Sequence, residues 1–252
     1  MSGLPLSYTL IEEFLYLGNV ATATNESVLL RLKIKRVLTL REKGIPEDNK
    51  VSHIIYFHLP INDTQNDDIL THFQRCHYFI EEAQNIKQSV LVHCRMGVSR
   101  SATIVISYLM AKYGIHWAET LQFVRKRRKE IKPNPSFLYQ LKLFDEMEFR
   151  MNPLHPSFRL FLLKRWIHVM KKKVISNSLD TDPTILDKYF SLLALSPEAE
   201  GLPFCCAKCK TLLFAEISVV RDITEESRRY QCSYIITEPQ EWMLPQIGRA
   251  HV

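Results

Sequence analysis

An α/β domain, with a central and mostly parallel sheet flanked by helices, is the architecture expected for residues 1–150. Two features lead there: short apolar runs of the kind that form buried strands, and helical patterns lying between them. In chain order, the first run is Phe14–Leu17, followed by Val37–Leu40 and Ile54–Leu59. All are rich in Val, Ile, Leu and aromatics, as strands buried on both faces are. Then Ile69, Leu70, Phe73, Phe79, Ile80 and Ala83 fall at three-to-four spacing on one helix face. A fourth run, Val90–His93, leads through a short loop into a helical stretch from Ala102 to Tyr113. The last pattern, Phe137, Leu138, Leu141, Phe144 and Met147, has Asn134 at a capping position and Pro135 at the first helical position.

The character changes after residue 150. Pro153 and Pro156 interrupt the pattern, and the following stretch carries Arg159, Lys164, Arg165, Lys171, Lys172 and Lys173 with no acid between Met151 and Leu179. Residues 151–200 are therefore expected to hold a basic helix and a linker, the latter marked by Asp182-Pro183, Ser196-Pro197 and Gly201. The chain's 33 Lys and Arg against 27 Asp and Glu give a net charge of +6, too mild to argue by itself for nucleic acid. The N-terminal MSGLPLSYTLIEEF has no signal-peptide pattern, and the apolar run Thr103–Met110 is too short to span a bilayer. A protein without membrane contact, with reduced thiols, is the expectation. Four of the six cysteines (Cys205, Cys206, Cys209 and Cys232, against Cys76 and Cys94) crowd into the last fifth, unlike a disulfide framework.

Residues 90–101 read VLVHCRMGVSRS, a strand running into His93-Cys94, a five-residue interval, then Arg100-Ser101 and a helix. Strand, tight loop and helix start make an anion site, because loop N–H groups and the positive end of the helix point to one spot. A phosphate would be wrapped by the backbone N–H groups of Arg95, Met96, Gly97, Val98, Ser99 and Arg100. Gly97 lets the loop turn, and Arg100 can grip two phosphate oxygens with its planar fork. The same field lowers the pKa of Cys94, which makes it a thiolate and a nucleophile for phosphorus. Ser101 is expected to hydrogen-bond the sulfur and help it leave, and His93 to orient the loop. No metal is needed for this chemistry, and no nucleotide P-loop pattern exists in the chain. A buried structural cysteine after a strand is the plainer alternative.

His-Cys-x5-Arg-Ser resembles the signature of the protein tyrosine phosphatase superfamily, and Met-Gly-Val-Ser-Arg-Ser its dual-specificity branch. The resemblance extends upstream through LYLGN (15–19) and downstream through PNPSFLYQL (133–141). It implies a cysteine-phosphatase fold and catalysis without a cofactor. It also implies a protein phosphatase that acts on phosphotyrosine, phosphoserine and phosphothreonine through a phosphocysteine intermediate. The family's general acid is an Asp on a loop upstream of the cysteine strand, and Asp63 in PINDTQNDD matches that place. Asp67 and Asp68 stand nearby as alternative acids, and Asp63 as a mere helix cap is the plainer reading. No segment resembles the long phosphotyrosine-gripping loop of tyrosine-only enzymes, which implies a shallower pocket.

Further on, FCCAKCKTLLF (204–214) and YQCSYIITEPQEWM (230–243) resemble the C-terminal domain of the dual-specificity phosphatase 12 (YVH1-type) subfamily. Cys206-x-x-Cys209 has zinc-knuckle spacing and Cys232 is a third candidate ligand; Cys205 or His251 would have to serve as the fourth. A small, incomplete zinc-ribbon-like domain at 201–246 is therefore expected, with structural zinc in a full-length protein; a redox pair is the alternative. The tail IGRAHV (247–252) can be back-translated as ATC GGA AGA GCA CAC GTC, a string found in a common sequencing adapter, and is expected to be non-native; a natural basic tail is the alternative. The basic clusters, Arg125–Lys129 and 159–173, read either as solvated helix faces or as contacts for an acidic or RNA-rich partner. The subfamily resemblance implies cytoplasmic and nuclear location and contact with pre-ribosomal particles. A scaffold or ribosome-assembly role and an RNA 5′-phosphatase are the alternative functions, and a monomer is expected.

Overall fold

The computed structural model describes residues 3–152, 155–162 and 164–165, and the backbone of four short strands further on. Two compact units divide the chain, Met1–Met151 and Asn152–Val252. The first contains a five-stranded sheet in the order β1-β2-β5-β3-β4. Its strands are β1 (Tyr8–Glu12), β2 (Leu15–Gly18), β3 (Ile34–Leu40), β4 (Ile55–Leu59) and β5 (Ser89–His93). β2, β5, β3 and β4 are parallel neighbours, and only the β1–β2 hairpin is antiparallel.

β5 lies at the centre, and Val90, Leu91 and Val92 are fully buried there. Strands paired on both sides and covered on both faces tolerate only such residues. β4 behaves differently. Its sequence suggested a buried strand, but it forms the sheet edge, with Ile55 half-exposed. β3 begins three residues before its apolar run, because Lys35 and Arg36 mask a stretch whose Ile34 is buried.

The helices are α1 (Val20–Ala23), α2 (Glu26–Arg31), α3 (Phe73–Asn85), α4 (Arg100–Tyr113), α5 (Trp117–Arg127) and α6 (Pro135–Glu146). Short turns of 3-10 helix occur at Glu47–Asn49 and Leu70–His72. α4 is buried at every position from Arg100 to Met110, and packs against β5, α3, α5 and α6. A helix apolar on nearly all sides belongs inside the domain. Burying each Leu or Ile side chain there is worth about 1.5–3 kcal/mol. Another cluster, with Ala23, Leu29, Ile34, Val37, Ile54 and Leu91, joins α1 and α2 to the sheet. Asn134 caps α6 as expected, its Oδ1 accepting from the Phe137 N–H at 2.9 Å, with Pro135 as the first helical residue.

In the second unit, residues 156–162 are helical, and β6 (Pro203–Cys205) pairs with β7 (Leu212–Ala215). β8 (Val219–Arg221) likewise pairs with β9 (Ile235–Thr237). Cys206, Cys209, Cys232, His251, the basic run Lys171–Lys173 and residues 247–252 lie outside the described residues. Among the described residues no helix is long and apolar enough to cross a membrane.

Candidate active site

The parallel strands all deliver their carboxyl ends to one edge of the sheet. There β2 hands over to Asn19 and Val20, β3 to Arg41, β4 to Ile61 and Asp63, and β5 to Cys94. Ligand sites of open parallel sheets form at this edge, where loops and helix starts converge.

Cys94 leaves β5 and is 1% exposed. Its Sγ accepts hydrogen bonds from the Gly97 N–H and from Ser101 Oγ, each at 3.2 Å. Burial alone would push this thiol up. The Ser101 hydroxyl, the Ser101 N–H, the Arg100 charge and the Val98 N–H outweigh it, and the pKa is lowered. Cys76, by contrast, is buried without such donors and is pushed up to about 12.

The loop from Arg95 to Val98 is strapped from outside by its carbonyls. Val20 N–H donates to Arg95 O (3.2 Å) and Lys132 N–H to Val98 O (2.9 Å). Arg128 donates from Nε to Gly97 O (2.9 Å) and from Nη2 to Met96 O (3.3 Å). With four successive carbonyls held outward, the intervening N–H groups turn inward, toward the sulfur and the start of α4. Gly97 has φ +73°, and a Cβ there would stand 2.5 Å from Gly18 O. Only glycine combines that backbone angle with that closeness.

Arg128 is a correction to the reading of Arg125–Lys129 as a solvated face. It is 4% exposed, and it also donates to Ser7 Oγ (2.8 Å) and Thr9 Oγ1 (3.3 Å). A sequence shows a run of cations but not which of them turns inward. Its neighbour Arg127 does lie outside, over the Phe123 ring at 3.7 Å.

Arg100 opens α4 and is buried. Its Nη1 donates to Ile61 O at 3.0 Å, and its Nε lies 3.7 Å from Asp63 Oδ2, too far to be a hydrogen bond. Nε is buried with no hydrogen-bond partner among the described residues. A buried guanidinium N–H left over beside a ring of inward N–H groups suits an anion with several oxygens.

Asp63 stands at the mouth of this cradle. Its Oδ1 accepts from Ser99 Oγ (2.6 Å) and Asn134 Nδ2 (2.8 Å). The other two carboxylates of this segment are spent locally. Asp67 accepts from the Asn62 N–H and Thr64 Oγ1, and Asp68 from the N–H and Oγ1 of Thr71. Asn134 was legible as a helix cap, but its amide donation to Asp63 was not.

His93 is fully buried. Its Nδ1 faces the Cys94 carbonyl (3.1 Å), an acceptor, so Nδ1 carries the proton and Thr39 Oγ1 donates to Nε2 (2.8 Å). Burial, helped by the charges of Arg41 and Arg100, holds its pKa down at about 3. The ring is neutral and braces the peptide next to Cys94. Around the whole, a cleft of about 590 Å³ is lined by Gly3, Leu4, Val20, Arg41, Lys43 and Arg95, together with Glu42, Asp63 and Arg100.

A buried thiol with lowered pKa, N–H groups turned inward at a helix start and an arginine fork define a cysteine-dependent phosphatase site. Residues 15–147 match the family model of the dual specificity phosphatase catalytic domain. The chain belongs to the dual specificity phosphatase family. It is 30% identical over 224 residues to dual specificity protein phosphatase MPK-4 of Drosophila melanogaster, covering 86% of this chain and 56% of that protein. With tyrosine-protein phosphatase yvh1 of Schizosaccharomyces pombe the identity is 28% over 243 residues, 94% of this chain and 69% of that one. The crystal structure of the Yvh1 phosphatase domain from Chaetomium thermophilum superposes with a TM-score of 0.52 at 27% identity, over 57% of this chain and 96% of that one. The fold is thus the cysteine-phosphatase fold, with its mixed sheet between helices.

Proposed function

We propose that this chain hydrolyses phosphotyrosine and phosphoserine or phosphothreonine in proteins through a phosphocysteine intermediate. The observation that carries this is Cys94 Sγ, held by two hydrogen bonds of 3.2 Å beneath inward N–H groups, with Arg100 and Asp63 beside it. Cys94 attacks phosphorus as a thiolate while Arg100 and the loop N–H groups hold the equatorial oxygens. Asp63 gives its proton to the departing oxygen, then takes one from the water that attacks the phosphocysteine. Ser101 Oγ hydrogen-bonds the sulfur as it leaves. His93, neutral and bonded on both sides, keeps the loop in place and transfers no proton.

Two relatives align far beyond the catalytic domain, yvh1 over 94% of this chain and mouse dual specificity protein phosphatase 12 over 91%. That supports a C-terminal segment shared with them. On this reading Cys206, Cys209 and Cys232 are thiolate ligands of a structural zinc. Metal analysis of the purified chain, with and without these cysteines, tests it.

For the catalytic reading the assay is the initial rate of aryl phosphate hydrolysis in the presence of chelator. Cys94→Ser should be inactive. Asp63→Asn should be slowed, and more so as the leaving group becomes more basic. A folded wild-type protein with no turnover would overturn the proposal.

A further inference from the structure

Four cations line the cleft, Arg41, Lys43, Arg95 and Arg100, against two carboxylates, Glu42 and Asp63. The described contacts account for part of this set. Arg100 faces Asp63, whose carboxylate is further held by Ser99 and Asn134. The side chains of Arg41, Lys43 and Arg95 form no ion pair among the described residues, whereas Arg36 and Lys112 are paired with Glu82 and Glu12. The backbone beneath Arg41 is fixed: Arg41 O accepts from the Ile61 N–H (3.3 Å) and from His58 Nε2 (2.9 Å). Ile61 is the residue whose own carbonyl holds Arg100. The 41–43 turn is thus fastened to the same strand end that positions the arginine fork. Its cations stand at a set place beside the phosphate cradle rather than on a wandering loop.

Resting on the phosphatase reading above, we infer that Arg41 and Lys43 select phosphopeptides with acidic side chains flanking the phosphorylated residue. A peptide whose phosphate sits over Cys94 must run its neighbouring residues along the cleft walls. Here Arg41 and Lys43 outnumber the single carboxylate of Glu42, so an Asp or Glu meets net positive charge. A Lys or Arg there is repelled. The interaction is exposed and so is weakened by salt. Neither residue is among the hydrogen-bond donors to Cys94 Sγ, so the expected effect is on recognition rather than on the chemical step.

The test uses the whole chain and three phosphopeptides of one sequence, with Asp, Ala or Lys on both sides of the phosphotyrosine, plus an aryl phosphate as control. The acidic peptide should have a kcat/KM roughly threefold to tenfold above the alanine peptide, as one or two exposed ion pairs allow, with the lysine peptide below both. With each peptide rate taken relative to the aryl phosphate rate of the same protein, the double variant Arg41→Ala/Lys43→Ala should flatten that ranking and reduce its dependence on salt. Equal rates on the three peptides, or a ranking that survives the double variant, would overturn the inference while aryl phosphate turnover stands. The inference also falls if the double variant slows a 5′-triphosphate RNA oligonucleotide but treats every peptide alike. Absence of aryl phosphate turnover would instead strike at the phosphatase reading itself.

Discussion

Ser101→Ala removes one hydroxyl from a fully buried position, and its effect can be worked out from the geometry around the sulfur. Cys94 Sγ accepts from Gly97 N–H and Ser101 Oγ at 3.2 Å, and the N–H groups of Ser101 and Val98 and the charge of Arg100 also favour the thiolate. A hydrogen bond to a charged acceptor contributes about 1.5–3 kcal/mol. Sulfur is a diffuse acceptor, so the low end applies. At about 1.4 kcal/mol per pKa unit, the thiol should titrate roughly one pH unit higher. The backbone donors and Arg100 remain and still favour the thiolate. The assay is the pH dependence of alkylation at Cys94 by iodoacetamide, followed by mass spectrometry of that peptide. Cys76, buried and pushed up to about 12, does not compete. Below both inflections the variant should react about tenfold more slowly, since its thiolate fraction is about tenfold smaller. An inflection that does not move would refute the reasoning and leave the helix start and Arg100 as the whole cause.

Gly97→Ala should lower turnover at least about a hundredfold, because a Cβ 2.5 Å from Gly18 O forces the loop to shift; an active variant would mean the loop has slack. Arg128→Ala should cost about 3 kcal/mol in urea unfolding and weaken phosphate inhibition, since buried carbonyls lose their donors, while Arg127→Ala should be nearly neutral. Asn134→Asp keeps an acceptor for the Phe137 N–H but replaces the amide donor 2.8 Å from Asp63 with a like charge. The midpoint of unfolding should barely move, while turnover of alkyl phosphates falls several-fold more than that of activated aryl phosphates. Burial lowers the imidazoles of His93 and His77 from 6.5 to about 3. Between those values the unfolded chain binds more protons, so stability is full above pH 6.5 and is lost as pH falls toward 3. Each ring contributes a slope of up to about 1.4 kcal/mol per pH unit. A melting temperature that stays constant from pH 7 to pH 4.5 would rule this out.

What could be read in the sequence was what is local. Buried strands such as β5 announce themselves as apolar runs, and the Cys94–Ser101 loop lies on one contiguous string, so its spacing is visible. β1 escaped because only Ile11 of YTLIE is buried, and an edge strand with one buried side chain has no clear period. α5 escaped for a similar reason, since its buried stripe is only Thr120, Leu121 and Val124. α1 and α2 are too short for a helical period to show. The supporting contacts of the site were hidden because they join distant positions. Thr39 to His93 spans two neighbouring strands, and Asn134 and Ser99 reach Asp63 across the cleft mouth. No spacing rule within a single sequence encodes them.

The outward straps on the 95–98 loop have a consequence for how activity is gained and lost. Val20, Arg128 and Lys132 come from opposite ends of the catalytic domain, and Arg128 meets Ser7 across 121 residues of sequence. The strand–loop–helix segment alone holds none of these straps, and a fragment lacking residues 1–12 leaves Arg128 without its Ser7 and Thr9 partners. The inward array of N–H groups is therefore a property of the completed domain and closes only after its most distant contacts have formed. Turnover regained during refolding should lag the recovery of helical signal, and on heating it should disappear with the cooperative transition itself.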